Sequence, residues 1–183
     1  DDVAAFLKHP MHRDIQVDLE ERISPEVIRG LKEGSASIGI CWDASDLSGL
    51  QSRSYRSDHL AIVVHPSHSL AGFKTLRFEQ TLDFAHVSLP ISSAVQVMLQ
   101  RAAALMGRVL DHRVIVSNFE AALRVVRANL AISVVPQEVA LPFARTYGLR
   151  VIPFIQPWAQ RRFAICFRDE HMLPQAPRLL VEQ

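Results

Sequence analysis

Short apolar runs, each stopped by proline or glycine, alternate along this chain with stretches that open on Ser or Asn and carry one apolar face at helical spacing. Residues 130–135 form one such run, stopped by Pro136, and the helix predicted over 137–147 is closed by Gly148. Residues 85–89 stop at Pro90, and Ser92 and Ser93 lead into a helix over 94–106 closed by Gly107. A run at 113–117 leads through Asn118 into a helix over 119–128. Nearer the start, strand-like runs at 15–19 and 36–41 flank a helix that Ser24-Pro25-Glu26 introduces, with Ser24 as N-cap, and Gly34 closes. Strand, helix and strand on short connections predict a right-handed parallel crossover there. Residues 60–65, 149–154 and 162–168 read as further strands and 177–182 as a last helix. The chain is therefore expected to be an α/β protein with mostly parallel sheets covered on both faces.

Residues 69–83 lack strong periodicity and separate an early set of elements from a self-sufficient set over 84–154, so two smaller sheets, one in each of two lobes, are expected rather than one large sheet. A boundary between lobes is where small ligands usually bind. A formal charge of +1 builds in no general attraction to nucleic acid or an anionic membrane, so direct DNA binding by these residues is not expected. The longest apolar runs, such as 60–64, fall far short of the roughly 20 residues that cross a bilayer, and no membrane partner is expected. Cys41 and Cys166 both lie in apolar strand-like runs, as reduced, buried thiols do, and the first six residues resemble neither a secretory signal nor a transit peptide. A cytoplasmic location is the expectation.

Five segments resemble the effector-sensing (substrate-binding) domain of LysR-type bacterial transcriptional regulators. They are Val17-Asp18-Leu19-Glu20-Glu21 ahead of Ser24, the run from Leu31-Lys32-Glu33-Gly34 to Ile38-Gly39-Ile40, Val63-Val64-His65-Pro66-Ser67-His68-Ser69-Leu70-Ala71, Val114-Ile115-Val116-Ser117-Asn118-Phe119-Glu120-Ala121-Ala122-Leu123, and Ala131-Ile132-Ser133-Val134-Val135-Pro136. They occur in the family's order and cover most of the chain. The resemblance implies a type 2 periplasmic-binding-protein-like fold, two Rossmann-like lobes joined by two crossover strands. Residues 1–58 and 169–183 would form lobe I, 59–66 and 161–168 the crossover strands, and 67–160 lobe II. It also implies a small-molecule effector bound between the lobes, a homodimer or homotetramer, and contact with DNA only through a winged helix-turn-helix module absent from this chain. Residues 3–7 and the helix over 119–128 are the expected interface surfaces. The family's first strand is absent as well. Ser37 stands where the family usually has an acid, and Asn129 and Ala131 where it often has glycines. A solute receptor feeding a transporter shares the fold and is the alternative.

In α/β sheets of this kind the helix starts that follow parallel strands face one edge, and their free N–H groups suit a carboxylate or similar anion without a lysine. Ser24, Ser92, Ser93, Ser117 and Asn118 stand at three such starts, either as effector contacts or as N-caps alone. Trp42 and Phe119 wall an apolar part of the pocket or pack within their lobes; Cys41 touches effector or is a structural thiol; Pro136 ends the strand at the same edge. No cofactor is expected. His65-Pro66-Ser67-His68 reads as a turn rather than a metal site, and Arg161-Arg162 as a solvated face. There is no Gly-x-Ser-x-Gly elbow and no Gly-rich phosphate loop, so no catalytic residue is assigned and no enzyme is expected.

Overall fold

Left-handed backbone closes the helices of this chain where the sequence offers glycine or asparagine. The computed structural model describes residues 2–181. Elements follow as α1 (Asp2–Lys8), α2 (Ser24–Glu33), β1 (Gly39–Trp42), β2 (Gln51–Val64), β3 (His86–Ser88), α3 (Ala94–Leu105), β4 (His112–Ile115) and α4 (Phe119–Arg127). After them come β5 (Ile132–Pro136), α5 (Gln137–Tyr147), β6 (Arg150–Pro153), β7 (Gln160–Phe167) and α6 (Gln175–Val181). Gly34 closes α2 at φ 82°, its N–H reaching back to the carbonyls of Gly30 and Leu31. Asn129, just beyond α4, takes φ 55° and is the one non-glycine with positive φ among the described residues, so the turn survives without glycine. Glu182, the last residue of the expected final helix, lies outside the described residues.

The chain divides into two compact units, Asp1–Arg56 with Arg162–Gln183, and Ser57–Arg161. The division falls within β2 and within β7, so both strands carry the chain from one unit to the other.

In the second unit β2 pairs antiparallel with β5 and β6, while β3 pairs parallel with both β4 and β5. Four strands thus run one way and β2 opposes them, which makes the sheet mixed where a mostly parallel one is predicted. Alternation sorts the side chains onto two faces. Leu60, Ile62 and Val64 of β2 join Ile132 and Val134 of β5 beneath Val95, Leu99 and Ala103 of α3. On the opposite face Val63 and Val135 pack with Leu123 and Val126 of α4 and Ala140 and Ala144 of α5. Each fully buried aliphatic side chain contributes about 1.5–3 kcal/mol.

In the first unit β1 pairs antiparallel with β7, which also neighbours β2. Ile28 and Leu31 of α2 pack there with Cys41, Ala164 and Cys166. Close approach of α2 to β1 depends on Gly39, where a Cβ would meet Val27 Cγ1 at 2.3 Å.

Further sequence expectations fail: the seven strands pair into one sheet, in the order β1-β7-β2-β5-β3-β4 with β6 also on β2, rather than into two smaller sheets. Residues 15–19 alternate like a strand but pair with nothing among the described residues, and Leu19 is 76% exposed, so no apolar surface covers the pattern and no parallel crossover forms. The strand expected at 36–41 starts at Gly39 and pairs antiparallel. Ser24 is not the N-cap of α2: Ile23 holds that position without a side-chain cap.

Candidate functional site

Each of β3, β4 and β5 runs in the same direction and feeds a helix, so the starts of α3, α4 and α5 gather along one edge of the second unit's sheet. Ser93 caps α3, its Oγ accepting from the Gln96 N–H at 3.2 Å, and Asn118 caps α4, its Oδ1 accepting from the Ala121 N–H at 2.9 Å. These caps engage one amide each. The amides of Ala94 and Val95, and of Phe119 and Glu120, lie too early in their helices for an intrahelical acceptor and carry the positive end of the helix dipole. At α5 the cap position is held by the buried Pro136, which offers no side-chain acceptor and leaves that helix start open.

Beside α5 lies a cavity of about 270 Å³ lined by Ser57, Asp58 and His59 of β2, Gln137, Glu138 and Leu141 of α5, and Gln160 of β7. Every lining residue but Leu141 is polar. His59 Nε2 donates to the Phe154 carbonyl at 2.7 Å, which leaves Nδ1 as an acceptor. Pro142 has no N–H for the Glu138 carbonyl four residues back, so the first turn of α5 keeps an unfilled acceptor as well as open donors. Asp58 is gripped by Arg161, whose Nε donates at 2.7 Å to Oδ1 and whose Nη2 donates to Oδ2. Arg161 is therefore buried at 6% exposure, not part of a solvated face; Arg162, paired with Asp43 at 3.1 Å, is the exposed one.

Of the residues singled out in the sequence, Ser92, Ser93, Ser117, Asn118, Phe119 and Pro136 belong to this unit, and Pro136 adjoins the cavity through Gln137. Ser92 and Ser117 are exposed, and Ser117 Oγ accepts from Asn118 Nδ2 at 3.4 Å. Phe119 packs against the apolar clusters on both faces of the sheet, the packing alternative. In the first unit Ser24 Oγ accepts from the Trp42 N–H at 3.1 Å, tying the start of α2 to the end of β1, and Trp42 is half-buried.

Cys41 is wholly buried, and burial pushes its thiol up to about 12; burial raises Cys166 too. Such thiols are inert. Neither should react with Ellman's reagent at pH 8 in the native chain, both should react in guanidinium, and a stoichiometric native reaction would remove Cys41 from the core.

The lining residues escape sequence reading because Ser57, Asp58 and His59 lie in a polar stretch ahead of the apolar part of β2. The available signal is a charged residue two positions ahead of an apolar run, at both Asp58 and Arg161. His65-Pro66-Ser67-His68 forms the expected turn, with the His68 N–H donating to the His65 carbonyl at 2.9 Å.

Residues 4–183 match the family described as the LysR substrate binding domain. The chain belongs to that family. Its fold is also that of solved structures with low identity. The effector binding domain of QuiR in complex with shikimate shares 19% identity over 99% of this chain and 85% of that one, with a TM-score of 0.79. The BenM effector binding domain with its effector benzoate shares 20% over 99% and 81%, with a TM-score of 0.75. Full-length CbnR complexed with its target DNA shares 22% over 99% and 62%, with a TM-score of 0.75. No curated protein matches the chain. LysR substrate-binding domains have the type 2 periplasmic-binding-protein-like fold and are regulatory modules rather than enzymes. No helix among the described residues is long and apolar enough to cross a membrane.

Proposed function

We propose that this LysR substrate-binding domain is the sensing part of a cytoplasmic bacterial regulator and binds a small carboxylate at the helix-start edge of its second unit. The observation that carries the reading is the gathering of three helix starts along one edge, with amides in their first turns that have no intrahelical acceptor. QuiR is solved with shikimate and BenM with benzoate, both carboxylates, which supports the choice of ligand class. Residues 1–58 with 169–183 and residues 67–160 are the proposed lobes, with 59–66 and 161–168 as crossover strands. Ser24 and Trp42 are the first lobe's part of the proposal; Cys41, with no exposed surface, is its structural thiol. Effector binding favours one conformation by differential affinity and passes that bias to a DNA-binding module, in a dimer or tetramer. The CbnR complex with DNA supports that assembly of parts, and the family match stands against a transporter receptor.

The test is calorimetry with a panel of small carboxylates that includes shikimate and benzoate, on the wild-type chain and two variants. Ser93→Ala removes the α3 cap, which costs about 1 kcal/mol of stability, and keeps binding. Ser93→Trp fills the edge and abolishes binding while the fold survives by circular dichroism. Undiminished affinity in Ser93→Trp, or no binding of any panel member by the wild type, rejects the site.

A further inference from the structure

The ion pair between Asp58 and Arg161 differs in kind from the others in this chain. Its side chains are 14% and 7% exposed, whereas every other pair among the described residues has both partners at least a third exposed. Two donors of the guanidinium meet both oxygens of one carboxylate, a fork that fixes orientation as well as distance. The residues are 103 apart in sequence and stand on different strands, Asp58 on β2 and Arg161 on β7. Both lie at the edge of the second unit, which spans Ser57–Arg161.

Stability alone is a poor reason for a pair in that place. Removing two charges from water largely offsets their attraction, and apolar residues of similar volume commonly serve as well or better. What an apolar contact lacks is direction. Here direction has an object: Ser57 and His59 flank Asp58, Gln160 precedes Arg161, and all three line the cavity beside α5.

We propose that Asp58 and Arg161 are a positioning pair that clamps β2 to β7 where the chain passes between its two units, holding the Ser57, His59 and Gln160 wall of the cavity in one register. The functional meaning of that wall rests on the effector-site reading above, but the clamp is measurable with no effector present. An occupant of the cavity that touches His59 and Gln160 would contact β2 and β7 beside the pair.

The experiment compares melting temperature and amide hydrogen exchange, by mass spectrometry on the ligand-free 183-residue chain, across three variants. Arg161→Met strands a buried carboxylate and lowers the melting temperature by roughly 10 °C or more. The double change Asp58→Leu with Arg161→Met recovers most of that loss, yet exchange over residues 51–59 and 160–167 stays raised by about tenfold or more. Arg161→Lys keeps the charge, loses the fork and raises exchange in the same two segments with a smaller thermal effect, so the proposal is testable even if the other variants fail to fold. Wild-type exchange in the double variant or in Arg161→Lys reduces the pair to a stabilising contact and overturns the proposal. So does a rise confined to one strand. Carboxylate affinity is scored separately, so the clamp and the effector site fail independently.

Discussion

Replacing Phe154 with alanine should cost about 3–5 kcal/mol in urea unfolding, a large share of the roughly 5–15 kcal/mol that holds a domain folded. Phe154 is 1% exposed, and its ring lies 5.8 Å from Phe78 and 6.1 Å from Trp158, centroid to centroid. Phe78 and Trp158 meet edge to face at 5.5 Å, so the three rings form one cluster that a methyl group cannot fill. The cluster also supports the cavity, because the Phe154 carbonyl holds His59 Nε2. Leu105→Ala is the control. That side chain is 81% exposed on α3, and its loss should change stability by no more than about 0.5 kcal/mol. A Phe154→Ala chain as stable as the Leu105→Ala chain would show that these rings do not carry the core.

How much of this was legible in the sequence depends on where each residue's partner lies. Helix α5 is predicted residue for residue, because its start at Pro136, its apolar spacing and its closing Gly148 are all local. Asn129 was legible for the same reason, since left-handed tolerance belongs to the residue itself. Residues 15–19 show the reverse case: alternation is a local property, but a strand needs a ladder partner, and none of the described residues supplies one. The first half of β2 is hidden because Gln51 to Ser57 are mostly exposed and polar, with no inward face to leave an apolar period. Arg161 was misread because a guanidinium before a strand looks solvated unless Asp58, 103 residues away, is known to lie beneath it. At the site, the helix starts were legible and the cavity was not. Ser93 and Asn118 announce themselves by local chemistry, whereas the cavity is assembled from three separated segments.

Acid should weaken the fold through one histidine before most carboxylates titrate. His86 stands on β3 at 1% exposure; its Nδ1 donates to the Phe84 carbonyl at 2.9 Å, and Nε2 has no partner among the described residues. Burial drives its pKa down to about 4, and His112 on the adjoining strand pushes the same way, against the Phe84 carbonyl and Asp111. In the unfolded chain the same imidazole titrates near its ordinary value of 6.5. Between pH 6.5 and 4 the unfolded state therefore binds a proton that the native state refuses, so stability is complete above 6.5 and falls as pH is lowered through that window. The full loss is about 3 kcal/mol. Urea unfolding at pH 7, 6, 5 and 4.5 should show the wild type losing stability faster than His86→Leu, and the difference between the two curves removes the carboxylate background they share. Since His86 and Ser88 project to the face of β3 that α3 covers, and Ser88 Oγ and His112 Nδ1 hydrogen-bond at 2.6 Å, protonation acts directly beneath the helix whose start belongs to the proposed site. Parallel curves for the two proteins would mean that His86 is solvated and that α3 does not seal this face.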